Sequence, residues 1–190
     1  MKPRELLDTL TVAERLKDVT RHCYTSGGRH ESVAEHCWMM TFMAFLMKEH
    51  FPDADMDKVI RMCIIHDLGE AFTGDIPSFY KTAADEEKEE SLLQAWVQNL
   101  PKEKREEMQA LYAEMEARET PEAKIYKAID GLEAVIQHNF SDISTWLPNE
   151  YTLNQTYAQD RVGISGFLTQ LREEMRKDTL AKIENAKSGD

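Results

Sequence analysis

No apolar run in this sequence is long enough to cross a bilayer. The longest, Trp38 to Met47, is broken only by Thr41 and falls well short of the roughly 20 residues that a transmembrane helix needs. Cysteine is scarce: Cys23, Cys37 and Cys63 are odd in number and share no Cys-x-x-Cys spacing, which argues against a disulfide framework and a thiolate zinc site. Positive charge is in short supply too, with 23 Lys and Arg against 35 Asp and Glu and a formal charge of −12. Lacking a basic cluster, the chain is not expected to bind a nucleic-acid polymer, whose capture depends on counterions released by grouped Lys and Arg. A small phosphate ester stays open as a ligand, since a few cations focused in a cleft can hold it whatever the total charge. Met1 to Leu10 lacks the apolar core and small-residue cleavage site of a secretory signal, so the expected location is the cytoplasm, without membrane association.

What is present is globular composition, 42% hydrophobic and 31% charged, in a length that suits one domain over residues 1–190. The periodicities are helical, and no strand-period segment is long enough to propose a sheet, so the expected fold class is all-α. Ser32 and Glu35 form a capping-box pattern that starts a buried helix ending by Phe51-Pro52, which puts His36 in the first turn. A second apolar helix, Val59 to Ile65, runs into His66-Asp67 and then Leu68-Gly69, where glycine favours a stop or bend. Thr73-Gly74-Asp75-Ile76-Pro77 reads as a loop. Two charged helices follow, Ala83 to Leu100 and Pro101 to Arg118, and the acidic run Asp85-Glu86-Glu87 with Glu89-Glu90 reads as a solvated face. Thr120-Pro121 starts another helix, whose apolar seam of Ile125, Ile129, Leu132 and Ile136 passes beside Asp130. Residues 144–159 look irregular, and a last amphipathic helix spans about Ser165 to Ala186 before a polar tail.

Taken singly, each ionisable group has a plain structural explanation: a helix cap, a local His–Asp hydrogen bond, a solvated Asp. Together they read differently. His36 and the His66-Asp67 pair are attached to strongly apolar helices, where an unpartnered polar group costs about 1–3 kcal/mol. One divalent cation satisfies two imidazoles and two carboxylates at once, and this mixture of nitrogen and oxygen donors suits transition metals better than calcium. The expected ligand set is His36, His66, Asp67 and Asp130.

Three segments, Glu31-Ser32-Val33-Ala34-Glu35-His36, His66-Asp67-Leu68-Gly69-Glu70-Ala71-Phe72-Thr73-Gly74-Asp75-Ile76-Pro77 and Lys127-Ala128-Ile129-Asp130-Gly131-Leu132-Glu133-Ala134, carry a resemblance to a known family. The sequence resembles the HD-domain superfamily of metal-dependent phosphohydrolases, in which a His, a distant His-Asp doublet and a later Asp ligate one metal inside a helical bundle. The likeness runs from about Leu7 to His138, with C-terminal helices over 139–190 expected to pack on it. It is nearest the branch that includes bacterial 5′-deoxynucleotidases, human HD-domain-containing protein 2 and oxetanocin-like proteins.

The resemblance implies a single divalent ion, with manganese, cobalt, iron, nickel, zinc and magnesium all open. Binuclear relatives use further His ligands, and His22, His30, His50 and His138 lack that placement. It implies that Arg21, fifteen residues before His36, binds the substrate phosphate, with Arg29 and Lys81 as further substrate-binding positions. Glu70 and Asp75 are the implied catalytic residues, Glu70 near the attacking water and Asp75 between the catalytic region and the sugar. His22 stands where the bacterial deoxynucleotidases carry a Trp that helps to tell deoxyribose from ribose, while Trp38, Trp96 and Trp146 read as core or interface residues. The implied reaction is hydrolysis of (deoxy)nucleoside 5′-monophosphates to nucleoside and inorganic phosphate, by a homodimer. Two other readings stay open: hydrolysis of another nucleotide, such as a cyclic nucleotide, alarmone or modified nucleotide, and nucleotide binding without catalysis.

Overall fold

The structure is a computed structural model and describes residues 1–188. Gly189 and Asp190, at the end of the expected polar tail, lie outside the described residues. Three helices form the centre: α2 (Val33–Leu46), α3 (Met56–Ile65) and α7 (Pro121–Phe140). Their start signals are made as written in the sequence. Ser32 Oγ accepts the Glu35 N–H at 3.3 Å while the Glu35 carboxylate accepts the Ser32 N–H at 2.9 Å, and Thr120 Oγ1 accepts the Ala123 N–H at 3.2 Å with Pro121 opening α7. Met40, Met62, Ile129 and Leu132 are fully buried where the three helices meet, each contributing about 1.5–3 kcal/mol by leaving water.

Around this centre pack α1 (Pro3–Ala13), the short α4 (Glu70–Thr73), α5 (Ala83–Val97), α6 (Lys102–Ala117), the short α8 (Glu150–Thr156) and α9 (Gly166–Ser188). A second apolar cluster, including Val12, Leu16, Leu68, Leu93 and Val97, joins α1 and α5 to the start of α2. In the acidic run on α5, Glu86, Glu87 and Glu90 are exposed, while Asp85 and Glu89 are half-buried and Glu89 pairs with Lys81 Nζ at 2.8 Å. All three cysteines are free and buried. No described helix is long and apolar enough to cross a membrane.

The all-α expectation is met with one addition, a two-stranded antiparallel hairpin of β1 (Thr20–Tyr24) and β2 (His30–Ser32). Its register is irregular, with Thr20 opposite Ser32 and Tyr24 opposite His30, and Gly28 takes φ +82° in the turn. Strands this short and polar carry no alternation to read, and pairing in place creates them. Residues 144–159 are not irregular throughout, since α8 lies within them. Its order comes from distant partners: buried Arg172 of α9 donates to the carbonyls of Asn154 at 2.8 Å and Tyr157 at 2.9 Å. The first apolar helix also stops early, at Leu46, and a tight turn over Lys48–His50 carries the chain to Phe51-Pro52.

Candidate metal centre

His36 enters from the first turn of α2, His66 and Asp67 directly follow α3, and Asp130 comes from the middle of α7. Their donor atoms converge. His36 Nε2 lies 3.8 Å from Asp67 Oδ2 and 3.4 Å from Asp130 Oδ1; His66 Nε2 lies 2.9 Å from Asp67 Oδ2 and 3.9 Å from Asp130 Oδ1. Ligands held at about 2.0–2.2 Å around one tetrahedral ion stand roughly 3.3–3.6 Å apart, so the observed separations bracket those of a shared cation. His66 Nε2 is also sealed from solvent with no hydrogen bond, because Asp67 Oδ2 is close but misaligned. An orphaned imidazole nitrogen facing two carboxylates and a second imidazole fits a divalent metal by donor chemistry as well as distance.

The far side of each ring is held. His66 Nδ1 donates to the Cys63 carbonyl at 3.0 Å, and His36 Nδ1 hydrogen-bonds to Glu133, which leaves both Nε2 lone pairs turned toward the carboxylates. Burial and the Arg21 charge disfavour a charged His36 ring, but Glu133 and Asp130 prevail and raise its pKa to about 9. Burial likewise opposes a charged His66, and Asp67 overrides it, lifting the pKa well above the ordinary imidazole range. Without a cation, the same carboxylates pull protons onto the donors that would hold it.

Glu133 is a candidate site residue that the sequence reading did not single out. Fully buried, it accepts from His36 and also from Arg21 Nη1 at 3.1 Å, while Glu31 accepts from the same Nη1 at 3.0 Å. Burial works against the charged carboxylate, but His36 and Arg21 together hold its pKa below the usual value. The signal was available: Glu133 follows Asp130 by three on one helix, between the buried Leu132 and Val135, where an acid needs partners.

A cleft of about 330 Å³ opens over these groups, within the range of small-ligand pockets. His36, Asp67, Asp130, Glu70 and Asp75 line it, and Arg21, Lys81, Lys127 and Arg161 bring positive charge to it in a protein of net negative charge. Glu70 is 5% exposed, and burial, followed by the charges of Asp67, Asp75 and Glu89, pushes its carboxyl up to about 10. Burial also raises Asp75, with Arg21 pulling the other way. Lys127 Nζ pairs with Asp130 Oδ2 at 2.7 Å. His22 lines the cleft with Nε2 at 2.7 Å from Glu150 Oε1 and its ring edge-on to Phe79. Arg29 is not brought to the cleft: its guanidinium is 63% exposed at the hairpin and pairs with Glu35.

Fold and cleft define a helical protein with two His and two Asp brought together beside a cleft that has room for a small anionic ligand. The chain belongs to the HD-domain family, whose model matches residues 13–172. Human 5′-deoxynucleotidase HDDC2 is 32% identical over 138 residues, which cover 70% of this chain and 67% of that protein. A structure described as a predicted metal-dependent phosphohydrolase from Magnetospirillum magnetotacticum MS-1 superposes with a TM-score of 0.82 at 26% identity, covering 94% of this chain and 93% of that one. The HD phosphohydrolase DatZ of cyanophage S-2L, bound to dA and one catalytic Zn2+ ion, shares the fold at a TM-score of 0.56 and 20% identity, over 97% of this chain and 98% of that one.

Proposed function

We propose that this chain is a metal-dependent 5′-nucleotidase that hydrolyses nucleoside 5′-monophosphates, deoxynucleotides foremost, to nucleoside and inorganic phosphate. The observation that carries the reading is the convergence of His36, His66, Asp67 and Asp130, with His36, Asp67 and Asp130 lining a cleft that also holds several cations. These four residues would hold one divalent cation, which when bound supplies Lewis acidity to polarise a phosphoryl oxygen and to acidify water. Arg21 faces the substrate with the donors other than Nη1, since Nη1 is committed to Glu31 and Glu133. Glu70, buried in the cleft beside Asp75, would move a proton at the reacting oxygens. Lys81 adds positive charge at the rim. His22, held by Glu150, takes the sugar-facing position.

Phosphate release from a panel of ribo- and deoxynucleoside monophosphates, cyclic nucleotides and alarmones, across several metals and with chelator, tests the reading. Monophosphate hydrolysis that chelator stops and metal restores is expected, together with no turnover by H66A or D67A. Full activity in H66A, or hydrolysis indifferent to chelator, would overturn it.

Residues 1–190 act as one domain in this reading, because α7, α8 and the segment before α9 all furnish cleft residues. The protein works in the cytoplasm, where its free thiols stay reduced. It is a homodimer. α2 is apolar on every side, which leaves Trp38 62%, Phe45 61% and Leu46 58% exposed beside a stacked Phe42, and a second copy covers that flank.

A further inference from the structure

The fold holds Arg161 at the cleft without giving it a partner. Its Nη1 is sealed from solvent and makes no hydrogen bond. The one carboxylate within ion-pair distance among the described residues, Asp160, is 4.0 Å away and 83% exposed. The guanidinium lies over the Tyr157 ring at 5.2 Å. Lys127 shares this part of the cleft and feels Arg161 as a like charge, while Asp130 already serves Lys127 and the two imidazoles. A half-desolvated cation beside another cation is costly unless an anion arrives.

The segment that carries Arg161 is built to put it there. Arg172, 4% exposed, donates to the carbonyls of Asn154 and Tyr157. Ala158 is buried with φ +62°, a left-handed conformation that a Cβ disfavours. Gly131 follows Asp130 directly, and a Cβ there would stand 2.6 Å from Ala158 Cβ and 2.8 Å from Arg161 Nη1. The backbone of α7 beside the candidate ligand thus lets the 158–161 corner approach as closely as a glycine allows. A second orphaned donor, Asn154 Nδ2, lies in the same segment and the same cleft, 3% exposed.

We propose that Arg161 is a substrate-binding residue, receiving anionic oxygens of the phosphoryl group together with Lys127, with Asn154 a neutral donor to the same substrate. This rests on the reading of the cleft as a phosphoester site. It divides labour between two arginines: the charge of Arg21 is balanced by Glu31 and Glu133, whereas that of Arg161 is left for the ligand.

Inorganic phosphate is the probe, with chelator present so that bound metal contributes nothing. Thermal unfolding of the full chain is followed against phosphate concentration, with chloride at matched ionic strength, for wild type, R161M and R161Q. R161M keeps packing against Tyr157 without charge, and R161Q repeats the comparison if R161M does not fold. Phosphate should stabilise the wild type, and its apparent Kd should weaken tenfold or more in the variants. An unchanged phosphate response in the variants, including one with a lowered melting point in chloride, would overturn the assignment, as would a wild type that phosphate does not stabilise. If phosphate binding depends on Arg161 but no nucleotide is hydrolysed under any metal, the nucleotidase reading falls and this assignment stands.

Discussion

Glu133→Gln isolates the charge of one buried acid. Glu133 Oε2 accepts from both His36 and Arg21, and Oε1 has no partner. An amide can therefore keep its oxygen toward both donors and turn its nitrogen to the vacant side, so the contacts survive while the negative charge is lost. Removing the acid behind a metal-bound imidazole typically costs 10- to 100-fold in metal affinity, about 1.4–2.8 kcal/mol. The same change withdraws the Glu133 charge, which together with Asp130 raises the His36 pKa to about 9. Metal affinity measured by chelator competition, with metal content after dialysis, reads the first effect, and an NMR titration of His36 in the metal-free protein reads the second. E133Q should bind metal at least tenfold more weakly, with the His36 pKa moved downward. Wild-type metal affinity in a folded E133Q protein would refute the reasoning that this acid polarises a ligand.

In the metal-free protein His36 holds its proton up to about pH 9, so a cation must displace it and metal affinity should rise up to about tenfold per pH unit below that value; affinity flat from pH 6 to 8 would contradict this. The raised pKa also stabilises the metal-free fold, fully below the unfolded value of about 6.5 and no longer once pH has passed through about 9, so this contribution should be missing from chelated protein melted at pH 10. Gly131→Ala forces a methyl to 2.6 Å from Ala158 Cβ and should cost about 1–3 kcal/mol by overpacking; an unchanged denaturation midpoint would mean the corner yields freely. Phe45→Glu should split the homodimer in light scattering without abolishing folding, since Phe45 is 61% exposed; a wild type that is already monomeric removes the homodimer from the proposal.

The helices were legible because their starts are local. Ser32 and Glu35 satisfy each other's amide groups within one turn, and Thr120 accepts from the Ala123 N–H while Pro121 has no N–H to satisfy, so neither start depends on the rest of the fold. The convergence of His36, His66, Asp67 and Asp130 could be anticipated because ionisable groups tied to apolar helices demand a common partner. What could not be read is whatever distant contacts decide. β1 and β2 exist through each other, and α8 is fastened by Arg172 from the following helix. Glu133 is chemically identical to the many solvated acids of this chain until Arg21 and His36 close on it from other elements. Arg29 and Arg21 are equally basic on paper, and only the hairpin turns one into the cleft and the other out.

That a single acid touches both the ring of His36 and the guanidinium of Arg21 has a practical corollary for enzymology. Truncating Arg21 frees its neighbour to serve the imidazole alone, so the variant will differ from its parent in cation loading as well as in nucleotide capture. A slow R21A protein would carry two faults under one label, and varying positions 21 and 133 together, at saturating metal, is the way to tell them apart.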